Sequence, residues 1–311
     1  MSARDWQGLS ISAVLLALAA CLPLLGDDYY LTIGVTIAMY TVLATSWALF
    51  SGPTHYISLA TAAFFGLGTY CTALGIENGL SYWMTLPIAA VLGALVAGLV
   101  GIATLRLSGV YFVIFTLGLS ELVRQIVTWA QNVSGQKGLY VLTEITEAHI
   151  YWQLLGLGAL VYLAGWAIGR SRLGFALRII GDDEEVARHS GINTARAKVL
   201  LFMVSGATAS VVGGMLAPRY IYIEPSTAFT PMLSFLVVIM ALLGGVGRLW
   251  GPIVGVIPFT LLWEAISASF PNQTTLLLGF SFLVIVYLLP RGFVGLLEGL
   301  RRRVLQREAY A

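Results

Sequence analysis

Residues 83–105, WMTLPIAAVLGALVAGLVGIATL, contain no ionisable side chain and are followed at once by Arg106. A helix needs about 20 predominantly apolar residues to cross the hydrocarbon core of a bilayer, and this run is long enough. Small residues recur along it at Gly93, Ala97 and Gly101. In lipid, small residues let two helices approach closely. The run therefore predicts a membrane-spanning helix that packs against a neighbour.

Similar apolar runs fill the rest of the chain. Its 311 residues are 58% hydrophobic and 10% charged, with a mean hydropathy of +0.87. Soluble domains carry about 25% charged residues, so this composition excludes a water-soluble body of the same size. We predict one all-α domain over residues 1–311, a polytopic transmembrane helical bundle. Its ten predicted spans are about 9–25, 29–50, 57–76, 83–105, 109–131, 150–169, 199–217, 229–247, 252–270 and 274–290.

The distribution of Lys and Arg predicts the orientation, because cytoplasmic loops retain positive charges. With the N-terminus inside, outside segments hold only Lys137 and Arg219, and Arg124 lies within a span. Fourteen of the 17 basic residues are then inside: Arg4, Arg106, Arg170, Arg172, Arg178, Arg188, Arg196, Lys198, Arg248, Arg291, Arg301, Arg302, Arg303 and Arg307. Both termini are therefore predicted to be cytoplasmic.

The N-terminal run allows a second interpretation. Arg4 and the apolar run ending at Leu18-Ala19-Ala20-Cys21 are also compatible with a cleaved signal or a lipoprotein site. Asp5 offsets Arg4, and apolar residues continue after Cys21, which favours a first membrane span. Cys21 and Cys71 both lie in apolar runs, so neither a disulfide framework nor a metal site is predicted.

Two clusters of turn-forming residues interrupt the spans. Ser51-Gly52-Pro53-Thr54-His55-Tyr56 precedes an apolar stretch that contains Gly66 and Gly68. It is compatible with a broken or re-entrant helix, which membrane proteins tolerate only where the backbone is buried or lines a wet cavity. It is equally compatible with an ordinary turn between helices. The second cluster, Leu243–Pro252, predicts a tight inside turn.

Three charged residues fall inside predicted spans. Glu121 and Arg124 are three residues apart, so they share a helix face and can pair. One ionised group near the bilayer centre costs roughly 3 kcal/mol, so the pair must face protein or water. It either lines a path or fixes the helix register. Glu264 has no obvious partner nearby in the sequence, and proton coupling is the alternative to an interior or interfacial position.

The longest predicted inside segment is a loop at about residues 170–198. Asp183 can cap a short helix at about 183–190, which would stop at Gly191. Val186, Ala187 and Ile192 are expected to form one apolar face. Such a helix could dock into a groove on a soluble partner. A merely solvated loop is the alternative.

Motifs for chemistry are not found in the sequence. It contains no Gly-x-x-x-x-Gly-Lys-Ser/Thr loop for ATP, no nucleophile elbow and no His-Glu-x-x-His. His55, His149 and His189 are far apart in sequence and do not form a metal set. We therefore expect no enzyme activity, no cofactor and no bound metal in this chain.

Five blocks occur in order along residues 30–295. They are Ser58–Tyr70, Arg106–Arg124, Gly174–Gly191, Gly244–Pro252 and Leu289–Gly292. Together they resemble LivM-type permeases of branched-chain amino-acid ABC importers, with the ABC importer permease fold. Ala60-Thr61 stands where members often carry Gly-His, which leaves urea, short amides or other amino acids open as substrates.

The resemblance implies a role for the loop helix. Glu185, Ala187 and Gly191 match the Glu-Ala-Ala-x-x-x-Gly pattern by which permeases engage their ATPases, whereas Val186 departs from it. The partners implied are two ABC ATPase subunits, a second related permease and a periplasmic binding protein, in a bacterial inner membrane. Membrane lipid is the surrounding medium, and no nucleic acid is expected. The residues assigned to the translocation path are Ser58, Thr61, Phe64, Gly66, Tyr111, Thr116 and Glu264.

The sequence leaves one function of another class open. A proton-coupled secondary transporter would work alone through Glu264 or the Glu121/Arg124 pair. It would transport without an ATPase, whereas the importer permease would not.

Overall fold

The computed structural model describes residues 19–25, 27–105, 107, 109–135 and 138–274, together with 276, 277, 279, 280, 283, 287 and 292. Both termini lie outside these residues, as do most of the predicted first span, 9–25, and most of the predicted last span, 274–290. The total of ten spans and the cytoplasmic termini therefore stay predictions.

Helices make up most of the described chain. They are α1 (Asp28–Thr54), α2 (Thr61–Glu77), α3 (Tyr82–Thr104), α4 (Val110–Ser134), α5 (Glu147–Arg170), α6 (Arg172–Asp182), α7 (Glu184–His189), α8 (Thr194–Leu216), α9 (Pro225–Ala228), α10 (Pro231–Gly244) and α11 (Gly251–Ser269). Short 3-10 turns cover Leu22–Leu25 and Ala217–Arg219. Within the described residues, 7 helical segments are long and apolar enough to cross a membrane. The prediction of an all-α polytopic membrane protein is confirmed.

Several predicted boundaries were wrong. The span expected at 57–76 begins as a helix only at Thr61. The span expected at 229–247 ends at Gly244, because Gly245 has a φ of 102°, which L side chains rarely adopt. Helix α6 was not predicted. A two-residue antiparallel ladder, β1 (Leu139–Tyr140) with β2 (Tyr222–Ile223), was also missed.

Glycines permit the closest helix contacts in the bundle. A Cβ on Gly68 of α2 would lie 1.7 Å from the backbone oxygen of Ser210 on α8. A Cβ on Gly93 of α3 would lie 2.7 Å from the backbone oxygen of Gly206, also on α8. The predicted small-residue face of α3 thus packs against α8. The predicted tight turn occupies residues 245–250 between α10 and α11, whereas its position on the inside stays a prediction. The two helices pack closely, since a Cβ on Gly255 would lie 2.1 Å from the Met240 oxygen.

The buried core and the exposed apolar surface are formed by different helices. Trp47, Phe50 and Phe202 are almost completely buried, on α1 and α8. By contrast, α3 and α4 expose large apolar side chains such as Leu99 and Trp129. Exposed apolar surface of this kind faces either lipid or another subunit.

Candidate functional site

A nonhelical segment, residues 55–60, connects α1 to α2, and we call it the break segment. His55 has a φ of 57° and ends α1, and the chain becomes helical again at Thr61. Ser58, Leu59 and Ala60 are nevertheless buried. The segment therefore combines the two interpretations of the sequence: it is a connection between helices, and its backbone is buried in protein.

Side chains form hydrogen bonds with the backbone N–H and C=O groups of the break segment. The Leu59 amide donates to Thr116 Oγ1 at 3.0 Å, and the Leu59 oxygen accepts from Ser120 at 3.2 Å and from Ser234 at 2.8 Å. The Ser58 oxygen accepts from the Trp47 indole at 2.8 Å. An unsatisfied backbone group in a bilayer costs several kcal/mol, so these partners from α1, α4 and α10 are what make the break tolerable.

The residues that the sequence assigned to the path differ in exposure. Tyr111, on α4, is 75% exposed. The other members of the set near the break segment are buried: Ser58, Thr61, Phe64, Gly66 and Thr116. The Phe64 ring lies against Phe202 with centroids 5.5 Å apart, and a Cβ on Gly66 would lie 2.3 Å from the ring of Phe229.

Glu264 has a hydrogen-bond partner that its sequence neighbourhood did not suggest. The Tyr29 hydroxyl, at the start of α1, donates to Glu264 Oε1 at 3.4 Å. Glu264 is on α11, so the contact joins residues that are distant in sequence. The separation of 235 residues explains why a search for local partners missed it.

The predicted ion pair on α4 is formed. Arg124 Nε donates to Glu121 Oε2 at 2.9 Å, and Gln125 Nε2 donates to Glu121 Oε1 at the same distance. The two side chains are 30% and 46% exposed, so the pair lies on the surface of this chain. In the middle of the predicted span, charges cannot face lipid without a large penalty.

Polar residues continue along α4 from this pair to form what we call the polar stripe: Glu121, Arg124, Gln125, Thr128 and Asn132. Their spacing of three to four residues places them on one side of the helix. Three residues of the stripe border a cavity of about 280 Å³, which is lined by Arg124, Thr128, Gln131, Asn132, Glu224, Pro225 and Ser226. Sequence reasoning found the pair but missed the stripe and the cavity.

The loop at 170–198 contains two helices instead of one. Ser171 caps α6 by accepting from the Gly174 amide at 3.3 Å. Asp183 caps α7, since its Oδ1 accepts from the amides of Glu185 at 2.8 Å and Val186 at 3.2 Å. The predicted cap and a helix close to 183–190 are thus confirmed. The chain turns away at Gly191, whose φ is 78°.

The apolar face expected on α7 is divided. Val186 is 53% exposed, whereas Ala187 is fully buried, and Ile192 is half-buried. Val186 and Ala187 point in different directions because successive helical residues are about 100° apart around the helix axis. Glu185 is exposed beside Val186, and Phe175 on α6 is 66% exposed. Val186 and Phe175 are therefore the large apolar side chains that the helix pair α6–α7 exposes.

Glu184, which sequence reasoning did not single out, ties α7 to α8. Its Oε2 accepts from Lys198 Nζ at 2.6 Å, and its Oε1 accepts from Arg188 at 2.7 Å and from Thr194 at 3.2 Å. Burial alone would raise the pKa of the Glu184 carboxyl, but the bonds from Lys198 and Arg188 outweigh it and lower that pKa. The sequence feature that could have indicated this contact is Lys198, a charged residue at the start of an apolar run.

The described bundle, with 7 apolar helices long enough to span a bilayer, a buried helix break and a polar stripe, has the architecture of a multi-pass membrane protein. Residues 29–289 match the model of a protein family described as "Branched-chain amino acid transport system / permease component". The chain belongs to this family of permease components, which are transport subunits and not catalytic enzymes.

Individual relatives agree with the family. The chain is 26% identical, over 90% of its length and 73% of the relative's, to the high-affinity branched-chain amino acid transport system permease protein LivM of Escherichia coli (strain K12). It is 32% identical, over 40% of each chain, to LivH of the same organism. It is 24% identical to the autoinducer 2 import system permease protein LsrC of an Enterobacter species, over 79% of this chain and 75% of that one.

Proposed function

We propose that this chain is the permease subunit of an ATP-driven importer for branched-chain or related hydrophobic amino acids in a bacterial inner membrane. Its partners would be two ABC ATPases, a second related permease and a periplasmic binding protein that delivers the substrate. The observation that carries the proposal is the capped helix pair α6–α7, which lies between two candidate spans and exposes Glu185 and Val186. The similarity to LivM and LivH, permease proteins of a branched-chain amino acid transport system, supports the substrate class.

Helix α7 is the proposed contact with the ATPases. It is too short to be stable by itself, so the Asp183 cap and the burial of Ala187 hold it in place. Rigid fixation suits an element that must pass on a partner's movement. The five residues that the sequence assigned to this loop therefore have two roles. Asp183, Ala187 and Gly191 fix the helix, whereas Glu185 and Val186 contact the partner.

The polar stripe of α4 is the proposed lining of the translocation path. Its charged pair is exposed on this chain and must be covered by water or by the second permease in a membrane. Tyr111 is exposed on the same helix, and Glu264 near the far end of α11 completes the set that can meet the substrate. Ser58, Thr61, Phe64, Gly66 and Thr116 are buried and would shape the path from behind through the break segment.

Reconstitution tests the transport function directly. Proteoliposomes containing both permeases and the ATPases should accumulate radiolabelled leucine only when ATP and the binding protein are supplied. Excess isoleucine or valine should compete, whereas excess urea or acetamide should not; the reverse order would move the substrate to the amides. Uptake by this chain alone, driven by a proton gradient, would contradict the proposal and support a secondary transporter.

Charge reversal tests the ATPase contact. Glu185→Lys should weaken co-purification of the ATPases about tenfold or more, since central interface contacts commonly contribute about 2 kcal/mol. Gly191→Trp should act in the same direction, because a bulky side chain at a φ of 78° distorts the end of the loop helix. Membrane insertion should be unchanged in both.

The matched control is Glu144→Lys, which makes the same charge change at an exposed position on the predicted outer side. It should retain the ATPases. Retention by Glu185→Lys as well would remove α7 from the interface.

A further inference from the structure

We propose that buried Lys198 is a positioning residue that links α7 to the break segment, so that displacement of α7 is passed on to α4. The inference rests on the proposed function, because it assigns a role to the far side of the helix that the ATPases would hold. It concerns residues that contact neither ATP nor substrate.

Lys198 lies between the two elements that it would connect. Its side chain is 1% exposed, and its Nζ donates to Glu184 Oε2 at 2.6 Å and to the Tyr56 hydroxyl at 3.1 Å. The same ammonium lies 4.3 Å from the centroid of the Tyr56 ring. A buried ammonium that loses its partners is strongly destabilising. Moving Glu184 away from Tyr56 would therefore cost free energy, because Lys198 would lose one of the two.

A second contact joins the helix pair to the same part of the chain. A Cβ on Gly181 of α6 would lie 2.7 Å from the backbone oxygen of Pro53 and 3.5 Å from the ring of His55. Helix α6 therefore packs directly on the end of α1, where the break segment begins. Two independent contacts, one polar and one steric, make the helix pair and the break segment move together.

From the break segment the contacts continue into α4. The Tyr56 ring meets Phe112 edge-on with centroids 5.2 Å apart, and Phe112 is fully buried. Three residues further along the chain, the Leu59 backbone forms hydrogen bonds with Thr116 and Ser120. All three partners are on the helix that carries Glu121 and Arg124. A contiguous set of packed and hydrogen-bonded groups is the kind of structure through which two sites are coupled.

The test separates coupling from docking. In proteoliposomes of the complete transporter, Lys198→Met should lower the number of substrate molecules imported per ATP hydrolysed by about tenfold, within the usual range of coupling between sites. Co-purification of the ATPases should stay at the wild-type level, because α7 keeps its Asp183 cap and its exposed Glu185. The control is Thr194→Val, which removes another hydrogen-bond donor to Glu184 but lies on α8, outside the proposed ATPase contact, and does not reach Tyr56; its transport ratio should be unchanged.

Tyr56→Phe provides a second variant that keeps the ring and removes only the hydroxyl. It should lower the same ratio in the same direction by a smaller factor, and it decides the matter if Lys198→Met does not fold. A wild-type ratio in either folded variant overturns the link. Loss of ATPase co-purification in Lys198→Met would also overturn it, since the residue would then only support docking. Failure of the wild-type chain to retain any ATPase would instead reject the proposed function.

Discussion

Replacing Gly68 by alanine should prevent the bundle from assembling. The added Cβ would lie 1.7 Å from the Ser210 oxygen, and that atom belongs to the backbone of α8, which cannot rotate away. Overpacking in a dense interior costs 1–3 kcal/mol and occasionally more, and we expect a loss of about 3 kcal/mol or more here. Thermal unfolding of the purified protein in detergent, together with the yield of monodisperse protein, measures the effect.

Gly156→Ala is the matched control on α5. Nothing lies within 4 Å of its added Cβ. Alanine is favoured over glycine within a helix by roughly 0.5–1 kcal/mol, so this variant should be as stable as wild type or slightly more stable. Because both substitutions make the same change in helix propensity, their difference isolates the steric contact. Equal stability of the two variants would mean that α2 and α8 are not packed as described.

Arg124→Ala should be the most damaging single change on α4. It leaves the Glu121 carboxylate with Gln125 as its remaining side-chain partner among the described residues, at a depth where an unpaired charge costs roughly 3 kcal/mol. We expect a large loss of folded, assembled transporter and of uptake. Both can be measured in membrane vesicles, with uptake normalised to the amount of permease present.

The double variant Glu121→Ala/Arg124→Ala should be less impaired than Arg124→Ala, because no charge is then stranded in the membrane. Comparison of the single and double variants gives the coupling between the two side chains. Recovery of assembly but not of uptake would assign the pair to the path. Equal damage in both variants would mean that the two residues do not act as a pair.

Much of the fold follows from local patterns. The apolar runs predicted membrane helices, and the position of Asp183 before Glu184-Glu185 predicted a capped helix, because caps depend on neighbours two or three residues away. The spacing of Glu121 and Arg124 predicted their ion pair for the same reason. Gly245 ended α10 earlier than hydrophobicity suggested, since backbone geometry prevailed over composition.

Long-range contacts were beyond the reach of one sequence. The sequence assigned Thr116 to the translocation path and did not distinguish Ser120 or Ser234 from ordinary small polar residues in spans. Only the structure shows that all three form hydrogen bonds with the Leu59 backbone. The link from Lys198 to Tyr56 crosses 142 positions, and that from Glu264 to Tyr29 crosses 235. Helix α6 was missed because charged residues alternate with its apolar ones, so it contains no long hydrophobic run of its own. Its stability depends instead on packing against the end of α1.

The way in which the break between α1 and α2 is sealed has an electrical consequence. Hydroxyls of Thr116, Ser120 and Ser234, and the indole of Trp47, occupy backbone groups that would otherwise attract solvent. A proton crosses a low-dielectric interior along a chain of water molecules or of titratable groups. The Thr, Ser and Trp side chains at the break do not ionise at physiological pH, and they take the place of water as hydrogen-bond partners of the backbone. A helix break sealed in this way offers a proton neither a titratable group nor an unsatisfied backbone oxygen at Ser58 or Leu59.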